Sequence, residues 1–144
     1  MSKLILHRSV CSFGIIVGIF VVATCVSAQD VSKAAIQKVI NSLSDYQDVP
    51  SSIACKATVS QAEKIICADP LLLLMEKLDT MAAIYAVENG TKRELSHNRR
   101  TVMEYSLLKT IRKLKSADAI RRAYIENTND SLGGESPYYV NEDK

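Results

Sequence analysis

The sequence predicts an all-α protein, a small bundle of four to five short helices stapled by one disulfide. Three observations predict it. Apolar residues recur at the i, i+3, i+4, i+7 spacing of a helix face in several separate segments. Helix-start signatures stand in front of those segments, with Ser-x-x-Glu at Ser60 and Asp-Pro at Asp69. Cys55 and Cys67 form an even pair once an N-terminal export segment is removed, as one bridge in an oxidising compartment requires.

Residues 1–28 read as a secretory signal peptide. Lys3, His7 and Arg8 give the positive start, and an apolar run follows from Val10 to Val26. Val26-Ser27-Ala28 suits a small-residue cleavage site, with Gln29 as the first mature residue. A retained membrane anchor and a lipid-modified Cys25 are the competing readings. The anchor is disfavoured because the run is at the short end for a span and contains Gly14 and Gly18. Cleavage implies export to the periplasm or beyond. It also leaves equal numbers of basic and acidic residues, so the slightly basic whole chain says nothing about partners.

Residues 29–51 are read as an N-terminal helix and linker. Ile36, Val39, Ile40 and Leu43 share one face of a helix over 32–44, and Ser32 can cap it. The stretch from Asp45 to Ser52, with Pro50, reads as the linker. Whether this helix packs on the rest or forms a separate arm stays open.

Residues 52–127 are read as the helical domain. Ser60 and Glu63 form a capping box for a short helix beginning at Gln61. In a continuous helix over 55–67 the two cysteines would lie about 18 Å apart, beyond the ~7 Å that a disulfide tolerates. A loop up to Ser60 followed by the helix makes the bridge feasible, so bridge and loop stand together. Asp69 then suits an N-cap and Pro70 a first helical position. The next helix should run from Pro70 to about Glu88. Its broad stripe of Leu71, Leu74, Met75, Leu78, Met81 and Tyr85 marks it as central core, and Asn89-Gly90 as its stop. Thr91 with Glu94 reads as a second capping box, opening a fourth helix to about Lys115 that turns Val102, Leu108 and Ile111 inward. Ser116 or Asp118 can cap a fifth through Asn127. Residues 128–144 read as a disordered acidic tail.

No catalytic set can be assembled. His97 is the sole histidine after residue 28 and reads as a solvated surface residue; the cysteines lack zinc-site spacing, and no Gly-rich phosphate loop is present. No enzyme activity, metal or cofactor is therefore expected. Charge is more informative. Residues 92–122 carry ten Lys or Arg against three acids, while the flanking segments are net acidic. Arg99, Arg100, Arg112 and Lys113 are the candidate binding surface within this basic stretch. It suits an anionic surface or an acidic partner, and export argues against nucleic acid.

The run from Cys55-Lys-Ala through Glu63-Lys-Ile-Ile-Cys67-Ala-Asp69-Pro70, followed by a leucine-rich helix with an acid (Glu76 or Asp79) and Tyr85, resembles the LprI-type domain. That is a family of small exported bacterial proteins named for a lysozyme inhibitor. The resemblance extends loosely over 52–125 and is specific over 55–85. Downstream, the Leu95–Met103 region has neither the family's tryptophan nor its cysteine, and Ala119-Ile120 stands in place of the later cysteine element. Both missing cysteines fit the loss of a whole second bridge. The resemblance implies a protein that occludes a partner, a lysozyme or a host factor, without chemistry of its own. Lysozymes act through two carboxylates flanking a sugar cleft, which Arg99 or Arg100 could face. Many lysozymes are strongly basic, so an acidic patch from the first half or the tail would have to make first contact. The alternative is a secreted effector or envelope-associated protein that binds a different host or cell-surface factor.

Overall fold

Pro70–Thr91 forms one helix around which the others gather. The computed structural model describes residues 31–134 and Tyr138; the expected signal segment, its Ala28–Gln29 junction and most of the expected tail lie outside them. The described residues contain six α-helices and no strand: α1 (Lys33–Ser42), α2 (Gln61–Ala68), α3 (Pro70–Thr91), α4 (Arg99–Tyr105), α5 (Leu108–Ile111) and α6 (Ala117–Ser131). Single 3-10 turns occupy Ser44–Tyr46 and Cys55–Ala57. None of the described helices is long and apolar enough to cross a membrane. The all-α, disulfide-stapled bundle is as the sequence predicts.

Helix α3 packs against α1, α2, α4 and α6, most extensively against α6. Its residues are apolar on nearly every side, so it can be covered all round. Leu72, Met75, Leu78, Met81 and Ile84 are fully buried. They share one core with Ile36 and Ile40 of α1, Ile66 of α2, Val102, Ile111, and Ile120 and Tyr124 of α6. The first helix is therefore part of the bundle and not a separate arm.

The capping signals act as the sequence predicts, the Thr91–Glu94 pair excepted. The Ser60 hydroxyl accepts from the Glu63 N–H at 3.2 Å, and the Glu63 carboxylate accepts from the Ser60 N–H at 2.8 Å. Asp69 accepts from the N–H groups of Leu71 and Leu72, with Pro70 at the first helical position. Ser32 caps α1, and Ser116 rather than Asp118 caps α6. Cys55 and Cys67 are bridged, their Cα atoms 5.5 Å apart, with the loop-then-helix geometry between them.

Four segments differ from expectation. First, α3 runs through Asn89-Gly90 and ends at Lys92, which takes the left-handed conformation at φ 54°. The Thr91 hydroxyl bonds back to the Val87 carbonyl inside α3, so it caps nothing downstream, and residues 93–98 are not helical. Second, the helix expected over 91–115 is two short ones broken at Ser106, whose backbone is extended. At about 100° per residue, Val102 and Ile111 would fall on opposite sides of a straight helix. The break lets both reach the core, and both are fully buried. Third, the expected linker is held down. The Lys77 ammonium donates to the carbonyls of Gln47 and Val49 at 3.0 and 2.7 Å, and Val49 is buried. Fourth, α6 continues past Asn127 to Ser131, because Thr128 is buried against α3, and Tyr138 lies in the core.

Candidate functional site

The end of α3 and the turn after α1 meet at an open cleft of about 450 Å³. Asp45, Tyr46 and Asp48 line one side, and Glu88, Glu94, Leu95 and His97 the other. Each side is placed by local structure. The 3-10 turn at Ser44–Tyr46 reverses the chain after α1 and turns Tyr46 toward α3, where its ring meets Tyr85 edge to face at 5.6 Å. The left-handed stop at Lys92 folds residues 93–98 back along the last turns of α3.

Glu88 is the hub of the cleft. It accepts from the Leu95 N–H and from the Tyr46 hydroxyl, the latter at 2.9 Å. His97 sits between two acids: its Nδ1 is 2.7 Å from Asp48 and its Nε2 is 3.6 Å from Glu88. Its ring lies against Tyr46, with centroids 5.4 Å apart. The His97 side chain is 16% exposed, so the expectation of a solvated surface histidine is corrected. Its partners lie 49 residues away in sequence at Asp48 and on α3 at Glu88, so no local pattern announced them.

These contacts fix the charge of the site. The hydrogen bond with His97 holds the Asp48 carboxyl below its usual range. The Leu95 N–H, helped by Tyr46 and His97, does the same for Glu88 against the opposing effect of burial. Burial and the hydrogen bond to Glu88 push the Tyr46 phenol up to about 12. Near neutral pH the cleft therefore presents ionised Asp48 and Glu88 beside the exposed acids Asp45 and Glu94, and among the described residues that line it His97 is the one basic side chain. Such a surface suits a guanidinium or ammonium group, which carboxylates bind by charge-assisted hydrogen bonds and aromatic faces by cation–π attraction. In a triad, a hydroxyl or thiol nucleophile would stand at the second imidazole nitrogen. Here that nitrogen faces Glu88. Among the described residues, no group of three or more His, Cys, Asp or Glu is placed to hold a metal ion.

The residues singled out from the sequence do not gather at this cleft. Cys55, Cys67, Ser60, Glu63, Asp69 and Pro70 build the stapled α2–α3 corner. Tyr85 supports the cleft from behind through Tyr46. Of the basic candidates, Arg99 and Arg100 open α4 and are exposed, as is Lys113 after α5. Arg112 is not a free surface cation, since its guanidinium grips Glu63 at 2.9 Å.

A second polar cluster lies inside the apolar stripe of α3, where Glu76 and Asp79 are both almost wholly buried. Glu76 accepts from the Ser51 hydroxyl, from both the N–H and hydroxyl of Ser52, and from the Thr80 hydroxyl. Asp79 accepts from Asn127 and Thr128 of α6. Both acids occur within the stripe in the sequence, and acids at core-facing positions signal buried partners. The chain matches no family model, and neither curated proteins nor solved structures show significant similarity to it.

Proposed function

We propose that this is an exported binding protein of the lysozyme-inhibitor kind, which occludes a basic partner through the acidic cleft between Asp45–Asp48 and Glu88–His97. The observation that carries the reading is the cleft itself: four carboxylates around two aromatic rings, on a scaffold fixed by a disulfide and buried hydrogen bonds. The resemblance over 55–85 supplies the class of partner, and the cleft supplies the acidic first contact that a strongly basic lysozyme requires. Complementary charge raises the rate of encounter and fixes orientation, while a rigid surface blocks the sugar cleft without chemistry. The test is muramidase activity of several lysozyme types, basic and less basic, titrated with the oxidised protein and with its reduced form. Dose-dependent inhibition, strongest for the basic enzymes, is the expected result. Reduction should weaken it only as far as it unfolds the protein, because the cleft lies at the opposite end of α3 from the disulfide corner. No inhibition of any type by folded protein overturns the reading.

A second reading draws on the exposed Arg99, Arg100, Lys109, Lys113 and Lys115. An envelope-associated or effector protein would use them on an anionic surface. Arg99→Glu with Arg100→Glu should then reduce retention on vesicles containing anionic lipid, and equal retention removes this alternative.

A further inference from the structure

Asp79 is 1% exposed, in the seam where α3 meets α6. One of its oxygens accepts from Asn127 Nδ2 at 2.8 Å and from the Thr128 hydroxyl at 3.1 Å. Thr128 Oγ1 in turn accepts from the Tyr138 hydroxyl at 2.7 Å, and that hydroxyl also lies 3.3 Å from the Tyr124 carbonyl. The Tyr138 carbonyl accepts from the Ser32 N–H at the cap of α1, at 2.7 Å. A single chain of hydrogen bonds thus runs from the middle of α3, through α6 and Tyr138, to the start of α1.

Among the described residues, the ionisable groups facing Asp79 are Glu76 on its own helix and the Tyr124 phenol from across the seam, with the Tyr138 hydroxyl one hydrogen bond further away at Thr128. Among the described residues no Lys, Arg or His side chain forms an ion pair with it. A carboxylate enclosed without a counter-charge is costly, so the neutral acid is the form that such a site accommodates.

We propose that Asp79 makes the α3–α6 seam, and with it the anchorage of Tyr138, a pH-sensitive fastening that is tight in mild acid and loosens as the medium turns alkaline. Burial, with a smaller push from Glu76, raises the Asp79 carboxyl to about 7 against the pull of its two hydrogen bonds. A carboxyl raised on folding contributes stability in full below its ordinary range, and that contribution disappears as pH climbs through the folded value. The affected window lies between about pH 4 and pH 8. Ionisation favours hydration of the carboxylate. Water reaches it by parting the seam at Asn127 and Thr128, which releases the contact holding Tyr138 to α6. The acidic cleft takes no part in this, so the inference stands apart from the proposed inhibitor activity.

Two readouts on the intact oxidised protein decide it. Carbon-detected NMR of the Asp79 carboxyl should titrate near neutrality; a midpoint in the ordinary aspartate range overturns the proposal. Hydrogen exchange of the Ser32 amide, expressed as protection so that intrinsic rates cancel, should be about tenfold weaker at about pH 8.5 than at about pH 5.5. In Asp79→Asn, which keeps shape but cannot ionise, the two values should agree within about twofold. Unchanged protection in the parent protein, or an equal drop in the variant, contradicts the proposal. The carboxyl titration is read on the parent alone, so it decides the matter even if the variant does not fold.

Discussion

Arg112 and Glu63, 49 residues apart, are joined by two hydrogen bonds from the guanidinium Nε and Nη2 to a single carboxylate oxygen, at 3.1 and 2.9 Å. The other Glu63 oxygen accepts the N–H groups of Val59 and Ser60. One side chain thus closes the capping box of α2 and ties the disulfide corner to the segment after α5. Glu63 is 3% exposed, so removing its charge strands Arg112 and two N–H donors together. Glu63→Ala should cost about 3 kcal/mol, combining a lost cap with a broken, mostly buried pair. Arg112→Ala should cost less, about 1–2 kcal/mol, because the arginine is partly solvated and the cap survives. Urea unfolding of the two variants checks both the size and the order.

The same contacts give a pH dependence of opposite sign to that of Asp79. Although burial works against its charge, the Val59 N–H, Arg112 and the Ser60 N–H hold the Glu63 carboxyl below its usual range. A carboxyl lowered on folding contributes stability above its ordinary range and loses it as pH falls through the folded value. Asp48 and Glu88 act in the same direction. Stability followed by urea midpoint should therefore peak in mild acid, falling below about pH 4 through these three groups and declining over about pH 4 to 8 through Asp79. A profile that rises steadily to pH 9 would contradict the assignment.

The Cys55–Cys67 bridge closes a short loop, with a separation of 12 residues. Replacing both cysteines with serine should cost about 3 kcal/mol. The loss should fall on the corner it staples. Exchange protection should drop first in α2, while the amides of α3 and α6 keep protection close to the global value.

At Gly90 the helix runs through a glycine, and a Cβ built there meets nothing within 4 Å. Gly90→Ala should raise stability by about 0.5 kcal/mol, the smaller end of the glycine penalty because the position is near the helix end. Two residues on, Lys92 holds a left-handed conformation that costs an L-residue about 1 kcal/mol, so Lys92→Gly should also stabilise. Thermal midpoints that do not rise would count against the helix end described here.

Elements set by residues three or four apart were legible in the sequence. Ser60 with Glu63, and Asp69 with Pro70, start helices through contacts that a local reading contains. Thr91 with Glu94 has the same form and fails, because α3 overruns it: the Thr91 hydroxyl is committed to Val87, and Glu88 captures the Leu95 N–H and pulls residues 93–98 into a loop. The cleft was illegible because its acids come from Asp45–Asp48 and from Glu88–Glu94, which only the fold brings together. Its one local trace was the pair of acids flanking Tyr46. Asp79 and Thr128 show the same limit. Each is readable as polar, but their meeting across 49 residues decides that α6 continues past Asn127 and that Tyr138 is anchored.

The most direct test of the central claim is inhibition of a strongly basic lysozyme by the oxidised protein, set beside a variant carrying Asp45→Lys and Glu94→Lys. Both positions are exposed on the cleft and carry no part of the core, so the variant should fold as its parent does. The parent should inhibit, and the variant should need at least about tenfold more protein for the same effect, most of it at low ionic strength. Equal inhibition by both proteins would place the contact elsewhere on the molecule, and absence of inhibition by the folded parent would contradict the account outright.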